Sequence, residues 1–320
     1  MSSFISLQNI IYPSSELSLT MILLDQWSLV YVRGSDSKKY LQNQLTININ
    51  LLSKKHHALC AHCNLNGKVW STMRLFQYQK GYAYIQRKSI SKIQITELKK
   101  YSIFENVRIT ELNDIVLIGL AGLDARNFLL KFFIKIPNKN CSIVYEKNKT
   151  ILWYSEPKER FLLILTLSEF LFLKKEINKN IFFNKSKQWL SLEIESGFPI
   201  IDKESAQKFT PQAINLDKLK GISFDKGCYY GQEMIAQIFF KNLNKRFLCS
   251  LIGKGILFLE IGSFIEIQIE NKWCIIGIVL SFVHIKNRDT YIQAVLYKPV
   301  NANNLFRIQG FQNIFLIKNR

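Results

Sequence analysis

The residues Lys226-Gly227-Cys228-Tyr229-Tyr230-Gly231-Gln232-Glu233, called the cysteine loop below, are followed at once by an apolar run over positions 234–240. Glycine lets the backbone turn sharply, so these residues predict a tight loop that opens a helix near Gly231. Cys228 would lie just before the positive end of that helix, with the Lys226 ammonium two residues away, and both features favour a thiolate. A single cysteine is more often a small buried hydrophobe. Its position between two glycines at a helix start instead predicts a functional residue.

The composition is that of a folded and strongly basic chain. With 320 residues, 48% of them hydrophobic and 21% charged, the chain has room for two or three domains with full cores. The net charge of +19 suits a polyanionic partner such as RNA, and tRNA contact is one prediction. The lysines are scattered, and Ile and Asn are also abundant. AT-rich codon usage is therefore an equally good explanation of the charge.

The cysteine content and the N-terminus indicate a cytoplasmic protein. The six cysteines are widely spaced, unlike those of a small secreted domain held by disulfides. The N-terminus has neither a basic region nor a cleavage site of small residues. No apolar run reaches membrane-spanning length, because the best candidate, 161–173, is interrupted by polar residues. We expect a reducing cytoplasm and no membrane partner.

The order of the predicted elements favours an α+β fold. Antiparallel strands and helices alternate over 29–111, including a hairpin whose strands, 58–63 and 69–77, meet across an Asn-Gly turn. A similar set follows, with helices near 124–133, 168–177 and 186–195. After Lys245 only short strands recur, which is typical of a small barrel. The predicted domains are 1–112 and 113–240, both α+β and free to interleave, the second carrying the cysteine loop, and a β-barrel over 241–320.

Two other patterns resemble functional sites. Cys60-Ala61-His62-Cys63 has redox or metal-site spacing, but residues three apart in a strand point to opposite faces, so we expect a structural role and no metal. A Cys–His hydrolase would need a histidine beside Cys228, and the sequence cannot place one there. Trp27 and Trp189 offer the large flat faces that a fused-ring ligand needs, although either one alone is more often a packing residue.

The cysteine loop resembles the K-G-C-Y-x-G-Q-E signature of the YgfZ family, folate-binding tRNA-modifying proteins related to the glycine-cleavage T-protein. One departure is Gln237, where relatives usually carry arginine. The resemblance extends to about residue 246 and thins in the predicted barrel. Other similar segments are Leu23-Leu24-Asp25-Gln26-Trp27, Ala61-His62-Cys63, Gly67-Lys68-Val69-Trp70, Thr96-Glu97-Leu98-Lys99-Lys100-Tyr101, Gln188-Trp189-Leu190, Gly197-Phe198-Pro199, Pro211-Gln212-Ala213 and Asn244-Lys245-Arg246.

The resemblance implies a three-domain, T-protein-like ring with a central channel for a folate such as tetrahydrofolate. It places Trp27 and Trp189 at folate-contacting positions. Cys228 falls on the family's signature cysteine, which is linked to iron–sulfur enzymes of tRNA thiolation such as a MiaB-type methylthiotransferase. Family members are also tied to the level of ATP-bound DnaA. The matching motif residues are Lys226, Gly227, Cys228, Tyr229, Gly231, Gln232 and Glu233.

Three functions stay open at this stage. The first is a folate-binding accessory protein of tRNA thiolation, without turnover of its own. The second is a folate-dependent one-carbon (aminomethyl) transferase, which should turn over methylene groups, and fold alone does not separate these two. The third is a structural RNA-binding module, whose affinity should depend steeply on salt and ignore both Cys228 and folate.

Overall fold

The computed structural model describes residues 7–8, 10–175 and 181–318, and of residues 7–8 the backbone only. Its α-helices are α1 (Ser37–Gln44), α2 (Lys88–Lys99), α3 (Ala125–Leu129), α4 (Leu167–Lys175), α5 (Ser186–Ser196) and α6 (Gln232–Phe240). Its strands are β1 (Leu7–Gln8), β2 (Thr20–Leu23), β3 (Trp27–Arg33), β4 (Ala58–Cys63), β5 (Val69–Tyr78), β6 (Gly81–Arg87), β7 (Arg108–Glu111), β8 (Ile115–Ala121), β9 (Ile143–Glu146), β10 (Lys149–Tyr154), β11 (Arg160–Thr166), β12 (Phe182–Lys185), β13 (Arg246–Lys254), β14 (Phe264–Ile269), β15 (Lys272–Ile285), β16 (Asp289–Tyr297), β17 (Phe306–Ile308) and β18 (Ile314–Ile317).

The strands form two open sheets and one closed barrel. The seven-stranded sheet has the order β1-β12-β2-β8-β11-β10-β9, and the five-stranded sheet has the order β4-β5-β6-β3-β7. Strands β1 and β2 precede the five-stranded sheet in sequence yet pair with β12, in parallel, in the other sheet. The predicted hairpin is confirmed, because β4 and β5 pair antiparallel across the turn at residues 64–68. The α+β class is confirmed.

The predicted C-terminal barrel is also confirmed. It closes in the order β13-β16-β15-β14-β17-β18, with β18 pairing back onto β13. Strand β18 lies beyond the strands that the sequence predicted. It completes the barrel and leaves no open edge there.

The helix predicted over 124–133 is shorter, and that prediction was wrong in its length. Asp124 is left-handed, with φ of +62°, so α3 begins only after it. Beyond Leu129 the backbone tightens, since the amides of Lys131 and Phe132 donate to carbonyls three residues back. Of the helix predicted over 168–177, the structure shows α4, and the last two positions lie outside the described residues.

Alternating strand residues divide the interior into layers. In β3, Leu29 and Tyr31 face a large central core, whereas Val30 and Val32 face a second core covered by α1 and α2. Helices α3 and α4 cover the outer face of the seven-stranded sheet. The central core unites the inner faces of both sheets with α5 and one side of the barrel.

Strand β4 carries the C-x-x-C pattern in the interior. Cys60 belongs to the core under α1 and α2 and Cys63 to the central core, so the predicted divergence of the two thiols is confirmed. Burial raises the pKa of both thiols. In the described ranges, no group of three or more His, Cys, Asp or Glu is placed to hold a metal ion. None of the helices in the described part of the chain is both long and apolar enough to cross a bilayer.

Candidate functional site

The cysteine loop ends in a glycine that the fold requires. The predicted helix start is confirmed: α6 begins at Gln232, and its cap Gly231 is left-handed, with φ of +82°. A β-carbon at Gly231 would lie 2.3 Å from the Asn64 carbonyl oxygen. The β4–β5 turn therefore packs directly on the start of α6, and only glycine fits between them.

Lys226 anchors the loop to the segment that follows α1. Its side chain is buried, and Nζ donates to the carbonyl oxygens of Gln42, Leu45 and Ile47 at 2.5, 2.7 and 2.7 Å. Burial lowers the pKa of the Lys226 ammonium to about 8, and the neighbouring Cys60 acts in the opposite direction. All three protons of the ammonium are therefore engaged by backbone carbonyls, and its support of a thiolate at Cys228 stays a prediction.

The tyrosines on the other side of Cys228 fix the loop as well. Tyr229 is buried, with the Lys226 ammonium 4.8 Å from its ring centre, and its backbone N–H donates to Gln232 Oε1 at 3.1 Å. The Tyr230 N–H donates to the Asn43 carbonyl at 2.9 Å, and its hydroxyl hydrogen-bonds that of Tyr101. Sequence reasoning missed these outer partners, because nothing in residues 42–47 or at Tyr101 marks them locally.

The thiol itself faces solvent. Cys228 is exposed, as are Gly227 and Glu233, and a β-carbon at Gly227 would meet no atom within 4 Å. The loop therefore holds its backbone by its other residues and leaves the cysteine accessible.

The histidines have their contacts elsewhere, which removes the structural basis for a Cys–His hydrolase. The pairs are His56 Nδ1 with Ser142 Oγ (3.4 Å), His57 Nε2 with the Trp153 carbonyl (2.8 Å), His62 Nδ1 with Gln94 Nε2 (3.3 Å) and His284 Nδ1 with Thr290 Oγ1 (2.7 Å).

A cavity of about 350 Å³, called the inter-sheet cavity below, lies between residues of the two open sheets. Arg74 of β5 lines it, with its guanidinium 5.0 Å from the ring centre of Tyr154 and 4.7 Å from that of Phe198. Arg74 Nε has no hydrogen-bond partner among the described residues. An aromatic cavity with an unsatisfied cationic donor suits a planar ligand that carries acceptor oxygens or nitrogens.

His57 adds an acceptor to the same cavity. Its Nε2–H donates to the Trp153 carbonyl, which leaves Nδ1 as the acceptor of a neutral ring, and the described residues give Nδ1 no partner. Burial, followed by the charge of Arg74, lowers the pKa of His57 to about 3. The cavity is therefore lined by the Arg74 cation and by the neutral imidazole of His57.

Trp189 lies behind the wall of this cavity. Its side chain is 1% exposed, its ring meets Tyr154 edge-on at 5.6 Å, and the Arg160 guanidinium lies 4.4 Å from its ring centre. The indole fits against β8 because residue 119 is glycine; a β-carbon there would lie 2.5 Å from Trp189 Cε3.

Trp27 lies at a smaller cleft of about 180 Å³. It is buried, and the Arg87 guanidinium lies 4.4 Å from its ring centre while Arg87 Nε donates to Asp202 at 2.9 Å. Each of the two tryptophans thus carries a guanidinium on its ring in this structure. Their contact with folate stays a prediction.

Comparison with known proteins identifies the family. The chain is 66% identical over 319 residues to "tRNA-modifying protein YgfZ" of Buchnera aphidicola subsp. Acyrthosiphon pisum (strain APS), covering 100% of both chains. The chain belongs to the YgfZ family. The protein of the same name from Buchnera aphidicola subsp. Schizaphis graminum (strain Sg) is 59% identical, covering 98% of each chain. Residues 244–311 match the family description "YgfZ, beta-barrel domain".

The fold of this YgfZ chain is shared with a solved T-protein. Glycine cleavage system aminomethyltransferase T from Bartonella henselae superposes with a TM-score of 0.76, covering 94% of this chain and 84% of the other. The two sequences are 15% identical, so the likeness shows the T-protein-like fold alone.

Proposed function

We propose that this protein is a folate-binding accessory protein of tRNA modification that acts in the cytoplasm without turnover of its own. The observation that carries the proposal is the construction of the cysteine loop. The backbone of the loop is held in place by the contacts of Lys226, Tyr229 and Gly231, whereas the thiol of Cys228 is exposed. The high sequence identity to proteins named for tRNA modification supports tRNA modification as the process in which this protein acts.

The inter-sheet cavity is the place where a folate fits best. A pterin is a planar fused ring with several acceptors, which matches the aromatic walls, the Arg74 donor and the His57 acceptor. In this proposal Trp189 supports the ring from behind Tyr154, and Trp27 contacts another part of the ligand once Arg87 moves aside. Bound tetrahydrofolate would supply a one-carbon carrier; the chain's own residues bind and orient it.

Cys228 is proposed to be the group that meets the iron–sulfur partner, an enzyme of the MiaB type. An exposed thiol on a fixed loop can contact a docked enzyme without a conformational change. The link to the level of ATP-bound DnaA would then follow indirectly, from altered tRNA modification.

The test is complementation of a bacterial strain that lacks its own family member, followed by measurement of thiolated nucleosides in bulk tRNA. Cys228→Ser should lower thiolation while leaving the folded protein level unchanged. Cys274→Ser is the matched control, since Cys274 is also exposed but lies in the barrel. Equal thiolation in the two variants would refute the role of Cys228.

The transferase alternative is tested separately. Purified protein mixed with methylene-tetrahydrofolate should bind it without releasing formaldehyde equivalents beyond the uncatalysed rate. Steady turnover would establish the one-carbon transferase instead.

A further inference from the structure

Helix α6 presents an apolar surface to solvent. Of its nine residues, Ile235 alone is buried, whereas Met234 is 40% and Phe240 73% exposed. Leu243, just after the helix, is also exposed. A helix of a folded domain normally turns its apolar stripe inward. An apolar stripe that faces solvent is typical of a binding surface.

The surface contains a preformed aromatic cluster. Phe224 and Phe239 stack with ring centres 3.9 Å apart and planes 21° apart. Phe240 packs edge-on against Phe239 at 5.3 Å, which holds its ring in place while most of it remains in solvent. A ligand ring placed on Phe240 would therefore cost little side-chain ordering.

Cations gather beside this helix. Lys68 lies in the β4–β5 turn, where a β-carbon on its neighbour Gly67 would be 3.1 Å from Met234 Cβ. Burial and then the charge of Arg246 lower the pKa of Lys68. The Arg246 guanidinium lies 4.5 Å from the ring centre of Tyr297, the residue before Lys298. The Lys298 N–H donates to the Lys245 carbonyl at 2.9 Å. Lys68, Lys245, Arg246 and Lys298, which these contacts bring into one region of the fold, are called the basic cluster below.

Two exposed carboxylates, those of Asp225 and Glu233, also lie near the start of α6. The four cations of the basic cluster outnumber these two carboxylates, and the whole chain carries a net charge of +19.

We propose that α6 and the basic cluster bind RNA that carries unpaired bases, with a base on Phe240 and phosphates on the cations. Exposed aromatic rings beside cations are the usual platform for single-stranded nucleic acid. A protein partner is favoured less, because lysine is depleted in protein interfaces. The inference rests on the proposed function, which supplies a tRNA as the RNA.

The experiment is fluorescence anisotropy with a labelled RNA hairpin that has an unpaired loop, beside a blunt RNA duplex of equal length. Phe240→Ala should weaken hairpin binding by about 5- to 100-fold and leave duplex binding unchanged. Lys245→Met with Lys298→Met should reduce the slope of log affinity against log salt by about 1.4. The controls Phe258→Ala and Lys131→Met with Lys135→Met, all at exposed positions away from α6, should behave as wild type.

Hairpin affinity of Phe240→Ala equal to that of Phe258→Ala would overturn the proposal. Failure of the wild-type protein to bind the hairpin would also overturn it. If tRNA thiolation still depends on Cys228 in that case, the proposed function stands without the RNA-binding surface. The opposite result is hairpin binding that depends on Phe240 while the protein does not restore tRNA thiolation in the complemented strain. It would support the RNA-binding surface and refute the proposed function.

Discussion

At the scale of single residues, the two glycines of the cysteine loop have different reasons to be there. Gly231 is left-handed and touches the β4–β5 turn, whereas Gly227 has open space where a side chain would point. The left-handed backbone and the contact with the turn explain why residue 231 is glycine. Gly227 leaves room next to an exposed thiol, which suits close approach by another molecule.

Alanine substitution separates the two positions. Gly231→Ala should lower the free energy of unfolding by about 1–3 kcal/mol, because φ of +82° is strained for alanine and the Asn64 carbonyl is in the way. Gly227→Ala should change it by less than about 0.5 kcal/mol. Urea unfolding followed by circular dichroism checks both. Equal losses would show that the loop is not fixed at Gly231.

Residue-level features were predictable where the cause is local. Glycine placement predicted the start of α6, and the two-residue period of a strand predicted the divergence of Cys60 and Cys63. The orientation of Lys226 was not predictable, because its acceptors belong to residues 42–47, which are distant in sequence. The same holds for the guanidinium groups that cover Trp27 and Trp189.

At the scale of elements, segments with a clear local pattern were predicted well, and several short strands were missed. Strands β4, β5 and β6 have clear turns between them and appear close to the predicted bounds. Strands β1, β12 and β18 have two to four residues, and each has a pairing partner far away in the sequence. Strand β18 also pairs with the preceding β17, but its pairing with β13 is what closes the barrel. Such short strands are defined by tertiary pairing more than by local pattern.

Strand β4 gives the fold a specific sensitivity to acid through His62, which is buried beside Gln94 of α2. Burial lowers the pKa of His62 from 6.5 to about 3. Between these values the unfolded chain binds a proton that the native chain does not, so the free energy of unfolding falls as pH falls from 6.5 towards 3. The slope is up to about 1.4 kcal/mol per pH unit for one such histidine.

His62→Gln should remove this contribution, since an amide can keep a hydrogen bond to Gln94 and does not titrate. Urea unfolding at a series of pH values between 6.5 and 4 measures the difference in slope between variant and wild type. Identical slopes would mean that the pKa of His62 in the native state is not lowered from its value in the unfolded chain.

At the scale of the whole molecule, the two open sheets, α5 and the barrel share one central core. The inter-sheet cavity exists only because β5 and β10 approach each other there, bringing Arg74 and Tyr154 within 5.0 Å. No local pattern predicts that meeting, which is why sequence reasoning singled out the tryptophans and could not single out Arg74 or His57. The family resemblance predicted the fold and the class of ligand, and the structure revealed the candidate cavity.

The most direct measurement is calorimetric titration of the purified protein with tetrahydrofolate, beside Arg74→Met and the control Arg307→Met, whose arginine pairs with Glu266 in the barrel. Wild type and Arg307→Met should show saturable binding at one site. Arg74→Met should bind about 10- to 100-fold more weakly, because a hydrogen bond from a charged donor is lost. Absence of saturable binding by the wild type would contradict the proposal that this protein binds folate.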